Sequence, residues 1–445
     1  MSGPKVVCMV SREEILALCR GLLARVDAVL ADWAGADGVS EADLVVARRR
    51  REDLGDLLDA GRFLDLQKQA PLEEAFLRSD RAARAARAAA AAAQERAVER
   101  RRSEAGRALL AALYRQGAVL EPELVRALDP MSGRAPDPAA MRRGFALLTA
   151  GSGAEAGLDR ERARNLKEWD DRASFADWLA QQPVPTPDPA IERLEARLAE
   201  LTGTAGQEAA APLTVRLQRA QEEAPPRRGL LLDSLEMDLG LALAEAKRRA
   251  DLDQEIRLVF AELSEGGSPA LVALEERRRA SDALEALGAL LVQARETLAR
   301  EREGRGAAAR RAAVLEALSG LGYEVREGLA TAWVEEGRVV LRKPALPGYG
   351  VEISGDPTAV RLQMRAVALT GGTAGPDPAR DRDVETLWCG DVAALQACLA
   401  TEGGGLTIEK ALPIGATPLK RVAEPTVSRT EAREGPGQRT LPPLR

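Results

Sequence analysis

The sequence predicts a mainly α-helical chain: a bundle of long helices with coiled-coil character, followed by a small C-terminal α+β module with an antiparallel sheet. Three observations predict it. Aromatic residues make up only 3% against 45% hydrophobic residues overall, so cores must be built from Leu, Ala and Val, a composition that favours helices. Long stretches combine few helix breakers with apolar residues stepping by three and four. After about residue 306 the pattern changes to short alternating segments separated by Gly and Pro. The resulting division is a helical region over 1–182, a Pro-rich linker over 183–190, a second helical, coiled-coil region over 191–304, an α+β module over 305–421 and a disordered tail over 422–445.

The first helix is expected to start at Ser11, where Ser11 and Glu14 have capping-box spacing. Ile15, Cys19, Leu22, Val26, Val29 and Trp33 then form one apolar stripe, which makes Cys19 a core thiol. A second helix is expected from Ser40 to a break before Pro71, with Leu44, Leu54, Leu57, Leu58 and Leu64 inward. From Leu72 to Arg115 the chain has no Pro and a single Gly, so a rod of roughly 65 Å is expected. Such a rod needs a helical partner, which approaches closely if the Ala88–Ala93 face is the seam.

A short helix is expected around Met141–Leu148 and another over Leu158–Leu179. The Pro183–Pro189 run resists helix and strand and reads as an extended linker. Beyond it come stripes at Ile191/Leu194/Leu198/Leu201, Leu235/Leu239/Ala242/Ala246 and Leu252/Ile256/Val259/Leu263. A long helix over about 269–302 has the heptad seam Ala280, Leu284, Leu287, Leu291, Ala294 and Leu298. A helix near 307–319 precedes expected strands at 323–326, 331–334, 338–342, 350–353 and 360–369. A covering helix over 381–399, begun by Asp381 and Asp383 at its dipole, and a last strand at 406–408 complete the module.

Composition excludes much chemistry. The chain has no histidine, which removes imidazole bases, Ser/His and Cys/His nucleophile pairs and imidazole zinc sites. Seven lysines occur and none follows a glycine, so no phosphate-binding P-loop can form. Cys8, Cys19, Cys389 and Cys398 contain no Cys-x-x-Cys pair and are too sparse for a disulfide framework. The net charge of -6 supplies no overall attraction for nucleic acid or anionic membrane. With no apolar run of spanning length, the expectation is a cytoplasmic, bacterial protein.

The clearest candidate binding residues are Arg78, Arg81, Arg84 and Arg87, repeating every three positions in a locally basic window over 78–107. They suit a phosphate backbone, but with no aromatics among them for base stacking the favoured reading is a solvated helix face or one side of a charge-matched helix pair. The acidic pairs Asp170/Asp171 and Asp251/Asp253 sit one or two apart in expected helices and cannot share a metal. The run Leu318-Ser-Gly-Leu-Gly-Tyr-Glu-Val325 resembles the entry to the core of Mrr-type restriction endonuclease-like domains, over about a sixth of the chain. That resemblance implies metal-binding roles for Glu352 and Gln363; the family's lysine position holds Arg365, which cannot act as a tunable base.

The expected function is therefore a non-enzymatic coiled-coil scaffold or adaptor that associates with itself or a protein partner through its long helices. No catalytic residue, cofactor or metal site is expected. A nucleic-acid-associated factor of a DNA-processing or defence assembly is the first alternative. A divergent metal-dependent nuclease in the C-terminal module is the second.

Overall fold

A computed structural model describes residues 4–128, 136–151, 188–356, 360–370 and 377–423. The expected helix over 158–179 with Asp170/Asp171, most of the 183–190 linker and the tail beyond Ala423, including Thr440–Arg445, lie outside them. Among the described residues the chain is mainly α, with a small α+β module whose sheet is largely antiparallel. No described helix is long and apolar enough to cross a membrane.

The described helices are α1 (Arg12–Ala34), α2 (Glu41–Asp59), α3 (Phe63–Arg115), α4 (Pro122–Leu128), α5 (Pro138–Gly151), α6 (Pro189–Ala205), α7 (Gln207–Glu222), α8 (Pro225–Glu265), α9 (Leu271–Arg279), α10 (Leu284–Gly320), α11 (Leu329–Glu336) and α12 (Pro378–Thr401). Ser11 caps α1 by accepting from the Glu14 amide, but Glu14 turns its carboxylate to Arg310 instead of completing the box. Ser40 and Asp43 do complete one at α2. Cys19, Val26, Val29 and Trp33 are buried as their spacing requires, and burial pushes the Cys19 thiol up against a smaller opposite pull from Gln67.

Several helix boundaries differ from expectation. Pro71 does not break the chain; it lies inside α3, a helix of 53 residues and roughly 80 Å. The α1 contacts of Leu66, Ala70 and Leu77 hold the α3 backbone on both sides of the proline. None of Ala88–Ala93 is buried and half of them are exposed, so this face is not the seam, and Leu64 is exposed as well. The expected helix over 269–302 is interrupted at 280–283, and its second part runs through Gly306 to Gly320 as α10. A Cβ at Gly306 would press on the Glu14 carboxylate, so close packing on α1 is what this glycine serves. The heptad seam of α10 is buried against Leu252, Ile256, Val259 and Leu263 of α8. Pro189, the end of the expected linker, opens α6 behind the N-cap Asp188, a position where its missing amide costs nothing.

Among the described residues six strands form one sheet: β1 (Lys5–Val10), β2 (Arg338–Arg342), β3 (Tyr349–Ser354), β4 (Arg361–Thr370), β5 (Gly405–Ala411) and β6 (Lys420–Ala423). Their order is β2-β3-β4-β1-β5, with β6 parallel to the far half of β4. The ten-residue β4 pairs β1 along 361–364 and β6 along 367–370. The chain's first strand thus fills the middle of a sheet whose other strands begin more than 300 residues later.

The expected strands at 323–326 and 331–334 do not form; Thr331–Val334 lies in α11, whose ends are set by Gly328 and Gly337 at φ 83° and 66°. Four residues are too few to separate a period of two from one of 3.6, and burying Trp333 decides for helix. Asp377, not Asp381 or Asp383, caps α12, because Pro378 fixes the helix start just after it.

One sheet face packs Val7, Met9, Val351, Ile353, Leu362 and Met364 under α12 and the end of α10. Gly350 sits where β2 and β3 approach closely, and a Cβ there would collide with the Leu341 carbonyl group. Gly350→Ala is expected to cost about 1–3 kcal/mol through forced strand separation, read as a lower melting temperature.

Candidate functional site

The arginine series on α3 is largely spent inside the molecule. Arg78 pairs with Glu74 on its own helix and with Glu255 of α8 at 3.0 Å. Arg81 lies 3.9 Å from Asp32 of α1. Arg84 bonds Asp80 at 2.6 Å, donates to the Gly38 carbonyl and covers the Trp33 ring, whose indole N–H also donates to Asp80. The Arg84 bond, then the Trp33 bond, hold the Asp80 carboxyl below its ordinary range. Arg87 is exposed. Three of the four arginines therefore stitch α3 to α1, α2 and α8. The Arg48–Arg51 run behaves alike: Arg50 bonds Glu73 and Arg51 bonds Asp27.

Arginines with freer surroundings lie further along α3. Arg101 and Arg102, with Arg142 of α5, border a cavity of about 480 Å³ floored by Met141 and Phe145, with no carboxylate among its described lining. A second cavity, about 500 Å³ between α1, α8 and α10, has walls of mixed charge. Glu262 there is buried and already answers Arg25 and Arg302.

In the C-terminal module, Glu352 of β3 stands directly across from Arg365 of β4. Alternation along β3 directs it away from the Val351/Ile353 core face. The residue is 1% exposed, and its two oxygens accept from Arg365 at 2.5 Å and from Lys420 of β6 at 2.8 Å. Burial alone would push its carboxyl up, but the Lys420 and Arg365 bonds outweigh it and hold it below the ordinary carboxylate range. Gln363 is exposed on β4, two positions from Arg365, and Gly355–Asp356 lies off the strand. Among the described residues no group of three or more Cys, Asp or Glu side chains gathers as a metal site requires.

On the opposite face of the sheet, under α12, Asp391 accepts from Tyr323 and Lys343, each at 2.7 Å, and Tyr323 meets Trp388 edge to face. Burial, then Asp391, push the Tyr323 hydroxyl up. The cavity beside this cluster measures about 10 Å³. Ligand sites typically need roughly 300–1,000 Å³, so the cluster joins α12 to the sheet and encloses no substrate space.

The outer face of α8 is different in kind. Leu232, Leu235, Leu239 and Leu243 bury one side against α6 and α7. On the opposite side Leu230, Met237 and Leu241, at intervals of seven and four, remain 73%, 72% and 70% exposed. A helix apolar on two sides has more apolar surface than its own fold covers. The buried stripe is the one expected from the sequence; the second has equally regular spacing but is hidden there, because the inward stripe alone accounts for a helix.

No family model, no curated protein and no solved structure matches this chain.

Proposed function

We propose that the protein is a non-enzymatic scaffold or adaptor that associates through the outer face of α8 with a second copy of itself. The observation that carries this reading is the exposed Leu230/Met237/Leu241 stripe on a 41-residue helix whose other side is anchored in the bundle. Pairing two such faces removes six large apolar side chains from water, each worth about 1.5–3 kcal/mol when fully buried. The rest of α8 needs no rearrangement, because the inward leucines already fix it. This is the same association that the heptad patterning suggests, moved to a different stripe.

Light scattering coupled to size exclusion tests it. The expected result is a dimer that the triple variant Leu230→Glu, Met237→Glu, Leu241→Glu converts to monomer with an unchanged melting temperature. A wild-type monomer at tens of micromolar, the range of a weak interface by affinity arithmetic, sinks the reading.

A second reading, a nucleic-acid-associated factor, is favoured by the Arg101/Arg102/Arg142 cavity rim, which lacks carboxylates. It expects DNA binding that weakens with salt and falls on Arg101→Ala/Arg102→Ala. Arg81→Ala and Arg84→Ala would act mainly on stability.

A further inference from the structure

Lys5 is a buried lysine in the first strand, 2% exposed, on the core face beside Val7 and Met9. Its ammonium nitrogen lies 3.2 Å from the sulfur of Cys389 on α12 and 6.0 Å from the centroid of the Trp388 ring. Among the described residues no carboxylate lies within ion-pairing distance of it. Burying a cationic group without a carboxylate is costly, so the contact with sulfur calls for a reason. Cys389 itself is partly exposed, whereas Lys5 is enclosed.

From this geometry we infer that Lys5 and Cys389 form an oxidative modification site at which hydrogen peroxide joins them by a sulfur–nitrogen bond. In the first step the Cys389 sulfur attacks peroxide. A sulfur–oxygen bond forms, the oxygen–oxygen bond breaks, the sulfur loses two electrons to become a sulfenic acid, and one water is released. In the second, the Lys5 nitrogen, its ammonium proton first passed to water, attacks that sulfur. The sulfur–nitrogen bond forms, the sulfur–oxygen bond breaks, and hydroxide leaves with an amine proton as a second water. Sulfenic acids condense with backbone nitrogen in the same way. Two equivalents of a thiol reverse the link, returning thiol and amine and forming one disulfide. The link would fasten the central strand β1 to the helix that covers it.

The test uses the full chain carrying Cys8→Ser and Cys398→Ser, which removes the other partly exposed thiols. It is treated with hydrogen peroxide, digested with trypsin and analysed by mass spectrometry. The expected product joins the peptide containing Lys5 to the one containing Cys389. It is lighter than their sum by two hydrogens, uncut after Lys5 and released by thiol. Adding Cys389→Ser abolishes it. Recovery of the peptide ending at Lys5 in full yield, with Cys389 unmodified or carried on to sulfinic or sulfonic acid, overturns the proposal.

Discussion

Replacing Val7 and Met9 together by Asp is expected to unfold the C-terminal sheet. Both side chains are completely buried in the core that α10 and α12 build on the sheet, and both belong to the strand between β4 and β5. Two carboxylates placed there have no hydrogen-bonding partners, and each costs several kcal/mol or forces local opening. Against a typical stability of about 5–15 kcal/mol that is enough to lose the module. The readout is protease sensitivity at 338–411 and loss of the buried Trp333 and Trp388 fluorescence, with most helical circular dichroism retained. A variant melting within a few degrees of the wild type would mean that β1 is not a central strand.

The second large effect concerns Glu352 and comes out lopsided. Removing the carboxylate leaves Arg365 and Lys420 with side chains 25% and 40% exposed, so water can take over part of the lost interaction. Glu352→Ala should cost about 1–3 kcal/mol. Removing both cations strands an enclosed carboxylate, and Arg365→Ala with Lys420→Ala should cost about 3–5 kcal/mol.

The pH dependence follows with opposite signs. In the wild type the Glu352 carboxyl is held low, so its contribution to stability is complete above the unfolded value of about 4.3 and disappears as pH falls through the folded one. In the double variant only burial remains. The folded carboxyl then lies above the unfolded one, and acidification through it relieves the destabilisation. Urea melts between acid and neutral pH separate the two cases.

The same residue discriminates the nuclease alternative. Magnesium-dependent cleavage by the wild type, lost in a normally stable Glu352→Ala protein, would favour a catalytic carboxylate. A stability loss with no cleavage in either protein would favour the ion pair.

What depends on neighbours two to four positions away is readable from the sequence alone. The α1 stripe, the Ser40 cap, the α8–α10 leucines and the strands at 338–342, 350–353 and 360–369 are legible because period and capping are local. The absence of histidine bounded the chemistry for the same reason: it needs no geometry. What depends on distant partners emerges once the chain is folded. Lys5–Val10 looks like a short apolar start until β4 and β5 arrive on either side of it. Arg78 and Arg84 look like a free basic face until Glu255 and Asp43 come within bonding distance. Leu230, Met237 and Leu241 look like part of an ordinary amphipathic helix until the bundle closes on its other side. Hydrogen-bond ladders and ion pairs join residues without regard to sequence separation, so no local pattern announces them.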